Sequence, residues 1–287
     1  MRQSFRLGEV VDLERYPIDD SDSPEYQALV AWIRQDLALS GCCVLAGFIR
    51  LQALRDLEAQ SDAVAHLAHR RVESVNVYNI GLDQALPDDH PARIRLTRGN
   101  AFVAHDQIPD GHIVQQLYVS PPFQRFVAES FAMAAVYPMA DPLAGLVVNV
   151  LEPGREHPWH FDTNLFTVSL MTRKSEGGGL FEYCPGIRSA DDERLAEVRG
   201  VITGASRKAV RQLDLAPGDL QLFKGRYALH RVAPVTGGRA RHTVIFAYCE
   251  QSGVVGTPER TRQLFGRVLP IHEDVARASR RLDALLD

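Results

Sequence analysis

His157-Pro158-Trp159-His160-Phe161-Asp162-Thr163-Asn164 sets an imidazole and a carboxylate two residues apart at what reads as a strand edge. Side chains at i and i+2 of a strand share a face. His160 and Asp162 are therefore placed to converge on one cation. A second imidazole from elsewhere would complete a two-His, one-carboxylate facial triad with open coordination positions.

His230 is the candidate, in Tyr227-Ala228-Leu229-His230-Arg231-Val232-Ala233-Pro234. Downstream, Arg241 leads into Thr243-Val244-Ile245-Phe246-Ala247-Tyr248, a β-branched and aromatic run that reads as a strand. On these residues the sequence resembles the Fe(II)/2-oxoglutarate-dependent oxygenases of the jelly-roll class. The resemblance rests on His160-x-Asp162, on His230 in a His-x-Val-x-Pro setting, and on Arg241-x-Thr243, which is similar to the family's Arg-x-Ser/Thr pair. Asn149-Val150-Leu151-Glu152-Pro153-Gly154 looks like the strand and turn that lead into the family's metal site. A lone His-x-Asp is common on surface strands, so the order of the four elements carries the weight.

The resemblance implies a mainly β fold with flanking helices: a double-stranded β-helix (jelly roll, cupin-like) with an N-terminal helical cover. It implies Fe(II) held by His160, Asp162 and His230, with 2-oxoglutarate and O2 at the open positions. Arg241 would bind the far carboxylate of 2-oxoglutarate as a bidentate fork. Thr243 stands beside it, Asn149 faces the cosubstrate from the neighbouring strand, and Arg239 is an alternative anchor. The surroundings of His160 and His230 are similar to the group of hydroxylases and halogenases acting on free amino acids. Related halogenases replace the carboxylate ligand with a small residue to admit halide. Here Asp162 fills that position, so the expected reaction is hydroxylation of an unactivated C–H bond.

A free amino acid or comparably small polar metabolite is then the expected substrate, with His157, Thr163 and Asn164 as candidate contacts. Thr163 stands where a substrate amine would want a carboxylate, and Ile245 and Ala247 make that wall apolar; these departures count against lysine. Two other classes stay open. A cupin-like metal enzyme that does not use 2-oxoglutarate would not need Arg241. A non-catalytic jelly-roll binding protein would tolerate loss of all three ligands.

Composition agrees with a single oxygenase domain spanning 1–287: a helical and mixed part at 1–140, a jelly-roll core at 141–252 and a helical tail at 253–287. The chain of 287 residues is long enough for a substantial core. A net charge of −4 with interspersed signs gives no basic field, so a small-molecule partner is expected and nucleic acid is not. No apolar run reaches the ~18 residues of a membrane span, and the N-terminus lacks a signal-peptide core, so the expected compartment is cytoplasmic. Cys42, Cys43, Cys184 and Cys249 show no metal or disulfide spacing, and the adjacent Cys42 and Cys43, in an apolar run, read as buried thiols.

Along the chain, Ser23-Pro24 opens a helix with Tyr26, Leu29, Val30, Ile33 and Leu37 on one face, and Gly41 closes it. A strand over Cys42–Phe48 and a second helix over Leu51–His69 follow, with Leu51, Leu54, Leu57 and Val64 on the apolar side. Val72–Ile80 reads as extended, and Arg93 to His105 as either an exposed loop or a wall for an anionic or zwitterionic substrate. A helix over Pro122–Met133 precedes the strands. Ser189 to Lys208 reads as a charged insertion with a short helix around Asp192 to Val198. The tail carries an apolar stripe of Val275, Ala278, Leu282 and Leu286.

Overall fold

The computed structural model describes residues 5–81 and 85–275. Helix α1 (Pro24–Ser40) starts where Ser23 Oγ accepts the Tyr26 amide at 3.2 Å, and it ends at Gly41 with φ 69°, a left-handed cap that glycine adopts without Cβ strain. All five predicted apolar positions of this helix are buried. Strand β1 (Cys42–Leu45) and helix α2 (Leu51–Ala65) follow. Leu51 corrects the predicted stripe: at the first helical position it is 82% exposed, and Ala53 turns inward instead.

The stretch after α2 is extended only briefly. Strands β2 (Glu73–Val75) and β3 (Leu96–Arg98) form a ribbon. The expected continuation to Ile80 stops at Asn76, whose side chain accepts the Tyr78 and Ile80 amides and bends the chain. Next come β4 (Ala101–Val103) and helix α3 (Pro121–Ser130). That helix stops three residues before the expected end, because Ala132 turns left-handed at φ 58° and the Met133 amide bonds back to Ala128 O.

The other strands of the two main sheets are β5 (Leu146–Leu151), β6 (His157–His160), β7 (Thr167–Arg173), β8 (Phe181–Cys184), β9 (Arg211–Leu213), β10 (Leu220–Phe223), β11 (Leu229–Val232) and β12 (Arg241–Phe246). Between β8 and β9 lies helix α4 (Leu195–Ile202), shifted from the expected Asp192–Val198. Asp192 Oδ1 accepts the Arg194 amide at 2.9 Å and holds residues 192–194 as a turn. After β12 come α5 (Pro258–Phe265) and α6 (Pro270–Val275). The predicted stripe at Val275, Ala278, Leu282 and Leu286 falls outside the residues whose side chains are described.

Among the described residues, a six-stranded antiparallel sheet runs β1-β10-β7-β12-β5-β4 and faces a four-stranded one, β9-β8-β11-β6. This is the jelly roll the motifs implied. Period-two alternation sorts the side chains. On β5, Leu146, Val148 and Val150 join the helices' core with Val244 and Phe246 of β12. Phe48, Phe123, Phe126 and Tyr248 thicken that layer. The opposite residues of the same strands, Asn149, Leu151, Arg241 and Thr243, face the smaller sheet. There Leu151 packs with Phe181, Tyr183, Phe223 and Val232.

Candidate metal centre

The ladder between β11 and β6 places His230 directly opposite His160, then shifts register toward Val232 and His157. Strand pairing, not sequence proximity, joins the two imidazoles. The chain leaves β6 at His160, and Asp162 folds back so that its Oδ1 lies 3.7 Å from His160 Nε2 and 3.4 Å from His230 Nε2. One donor atom from each of the three residues fits within 4.8 Å of the others.

Each imidazole is oriented from behind. His160 Nδ1 lies 2.8 Å from Pro158 O and His230 Nδ1 lies 2.9 Å from Ala228 O. A carbonyl only accepts, so both Nδ1 atoms carry the proton and both Nε2 lone pairs point at the shared centre. Burial, with His230 alongside, pushes the His160 pKa down to about 3, so the ring is neutral and able to ligate. Asp162 behaves oppositely. Burial alone would raise its pKa, but His230, His160 and a 2.6 Å hydrogen bond from Thr167 Oγ1 to Oδ2 hold it well below the usual carboxylate range. Two imidazole nitrogens and one carboxylate oxygen on one side of a centre are the donor set that suits divalent iron with open positions.

Arg241 and Thr243 lie on β12. Arg241 is 3% exposed, its guanidinium donates to Thr243 Oγ1, its Nε has no partner, and no carboxylate among the described residues pairs with it. Burial lowers its pKa to about 10, which still leaves it charged at neutral pH. A buried, charged fork without an acid suits an incoming carboxylate. Thr243 lies opposite Asn149 across the β12–β5 ladder, and Asn149 Oδ1 accepts from Asn100 Nδ2 at 3.3 Å. Arg239, the alternative anchor, is corrected: its guanidinium is ion-paired to Glu58, and its side chain is 40% exposed.

His157 stacks on His160 with ring centroids 3.9 Å apart. Thr163 and Asn164 lie on the exposed loop after Asp162, where Thr163 O accepts from Arg226 Nη1 at 3.2 Å. The segment from Arg93 to His105 divides. Arg93 and Arg95 bond backbone carbonyls at Leu86, Pro87 and Ser74, and His105 bonds Gln115. Arg98 and Asn100 are buried, Arg98 ion-paired to Glu73 and Asn100 bonded to Asn149. Thr167, Gly225 and Arg260 were not singled out as site residues in the sequence. Their roles depend on who stands beside them, and one sequence carries no signal of that.

No helix among the described residues is long and apolar enough to cross a membrane. Comparison with curated proteins finds no match. Solved structures share the fold at low identity. AviO1 from Streptomyces viridochromogenes is 16% identical over 79% of this chain and 97% of its own, with a TM-score of 0.54. The non-heme alpha ketoglutarate dependent epimerase SnoN from nogalamycin biosynthesis is 14% identical over 77% of this chain and 81% of its own, with a TM-score of 0.53. The carbocyclase SnoK from nogalamycin biosynthesis is 15% identical, covering 76% and 82%, with a TM-score of 0.50. The family model described as Halogenase D matches residues 32–266, and the chain belongs to that family within the Fe(II)/2-oxoglutarate oxygenase superfamily.

Proposed function

We propose that the chain is a single-domain Fe(II)- and 2-oxoglutarate-dependent hydroxylase of a small polar metabolite, a free amino acid or a derivative of one. The observation that carries this reading is the convergence of His160, Asp162 and His230 with both Nδ1 protons directed away from the centre. With Fe(II), 2-oxoglutarate and O2 bound, the chemistry supplied is oxidative decarboxylation to succinate and CO2 coupled to oxidation of a substrate C–H bond.

The protein's part is placement. His160, Asp162 and His230 hold the metal from one side and leave the other side for cosubstrate and O2. Arg241, assisted by Thr243, fixes the far carboxylate of 2-oxoglutarate, and Asn149 faces it from β5. Phe181 and Phe223 flank His230, with ring centroids 5.7 and 4.8 Å away, and exclude water from that side. His157, stacked on His160, faces the substrate side together with the Thr163–Asn164 loop. The family's name points to halide chemistry, but Asp162 supplies a carboxylate at the position a halide would need, which favours hydroxylation. Buried free thiols at Cys42, Cys43 and Cys184 suit the reducing cytoplasm, which belongs to the same proposal.

The test is succinate release from 2-oxoglutarate by anaerobically Fe(II)-loaded protein on exposure to air, across a panel of free amino acids and small metabolites. Iron-dependent succinate that a substrate stimulates and that Asp162→Ala abolishes is the expected result. No iron-dependent succinate, together with no binding of 2-oxoglutarate, would remove the assignment in favour of a cupin-like enzyme with other chemistry.

A further inference from the structure

The segment after the jelly roll returns to the β2–β3 ribbon and β4. Thr257 caps α5 through a 3.3 Å hydrogen bond to the Arg260 amide, Pro258 opens the helix, and Phe265 packs with Phe102 and Val147 near its end. Arg260 and Gln263, three residues apart, share the face that meets the β2–β3 ribbon. Gln263 Oε1 accepts from Arg260 Nη1 at 2.7 Å, and Gln263 Nε2 donates to Glu73 Oε2 at 3.0 Å. Glu73 is also ion-paired to Arg98, which is 4% exposed, and to Arg71 at 2.9 Å. Next to Arg98, the Gly99 amide donates to Glu156 O at 3.1 Å, tying β3 to the segment entering β6. The Arg260 guanidinium is thereby within electrostatic reach of Asp162, His157, His160 and Arg98.

The charges in this cluster do not balance. Arg98 and Arg260 bring two cations, and Glu73 is the carboxylate between them, already shared with Arg71. No carboxylate among the described residues lies within ion-pair distance of Arg260; its side-chain partner is the neutral Gln263. Burial, followed by the repulsion of Arg98, lowers its pKa to about 10, so it stays charged at neutral pH. A half-buried cation held by an amide is costly unless an anion arrives. The other nearby carboxylate, Asp162, is committed to Thr167 and the histidine pair.

We propose that Arg260, backed by Arg98, is a carboxylate subsite beside the metal centre, so that the substrate is a small acid whose side chain carries no positive charge. This rests on the oxygenase reading for its meaning in catalysis. The subsite is separate from the Arg241 fork, which lies on β12 inside the jelly roll. A basic side chain would meet Arg98 and Arg260 with no free acid to receive it, whereas a neutral or acidic one would not.

The experiment is calorimetric titration of the full chain, saturated with Ni(II) and 2-oxoglutarate, with L-aspartate, L-glutamate, L-leucine and L-lysine. Acidic or neutral members bind, L-lysine binds more weakly, and Arg260→Gln weakens the bound member by about tenfold to a hundredfold. Arg260→Lys, which keeps the charge, recovers part of the loss, and thermal unfolding of both variants confirms that the fold persists. Three outcomes overturn the proposal: no member of the panel binds, L-lysine binds as tightly as L-glutamate, or Arg260→Gln leaves affinity unchanged. If 2-oxoglutarate itself does not bind, the oxygenase reading fails separately, and the same acids titrated into metal-free protein and Arg260→Gln decide the subsite.

Discussion

Gly225 is the backbone against which Asp162 rests: a Cβ there would fall 2.6 Å from Asp162 Cγ, and the Asp162 amide donates to Gly225 O at 3.2 Å. The φ of Gly225 is not left-handed, so its requirement is one of space and not of backbone conformation. Gly225→Ala should push the carboxylate away from the two Nε2 atoms while leaving the sheets intact. The expected result is a fall in divalent-metal affinity of about tenfold to a hundredfold, the usual effect of disturbing a ligand's support. Titration with Co(II), followed by its absorption spectrum, measures it.

Thr167→Val tests the same carboxylate from its other oxygen. The variant keeps the shape on β7 but removes the hydrogen bond to Asp162 Oδ2. Metal affinity should fall about tenfold. Thermal stability of the metal-free protein should change by no more than about 1 kcal/mol, the usual worth of one hydrogen bond.

Arg241→Met separates binding from stability. Removing the fork should weaken 2-oxoglutarate by about a hundredfold or more, read by titration of the Ni(II)-loaded protein. Metal-free Arg241→Met should unfold at an equal or higher urea concentration than the parent, because a buried cation with no acid partner opposes folding.

His242 points away from the site, into α2. Its Nδ1 lies 3.0 Å from Ser61 Oγ and 3.3 Å from Asp62 Oδ1, with Arg173 and Arg239 also nearby. Burial lowers its pKa from 6.5 to about 4, against the pull of Asp62. The folded state therefore binds fewer protons than the unfolded state between those values. The stabilisation is complete above pH 6.5 and lost as pH falls toward 4, at up to about 1.4 kcal/mol per pH unit. Urea unfolding at pH 7 and pH 5 should show a smaller loss in His242→Gln than in the parent.

Phe123 is fully buried between α3 and the large sheet, with Phe48, Phe126, Phe246 and Tyr248 around it. Phe123→Ala should cost about 3–5 kcal/mol, measured by chemical denaturation.

What could be read in the sequence was what depends on local spacing. The stripe from Tyr26 to Leu37, the Ser23 cap and Gly41 fix one helix without outside help, and the alternation in β5 and β12 assigns Asn149, Arg241 and Thr243 to one face. His160-x-Asp162 and the distant His230 were legible because metal chemistry demands those residue types. Helix ends were less so: Asp192 and Ala132 stop or delay helices through single side-chain bonds or one left-handed residue, which periodicity does not register.

Tertiary structure decided everything that depends on a neighbour far along the chain. The β11–β6 register sets His230 opposite His160 across about seventy residues. Gly225 makes room for Asp162, Glu58 removes Arg239 from contention, and α5 carries Arg260 back to Arg98 and Glu73. Sequence alone determined the donors and the layers, because spacing and side-chain chemistry are local. Their partners and the charge balance around Arg98 and Arg260 came from strand pairing and chain return, because electrostatics and packing act through space and not along the chain.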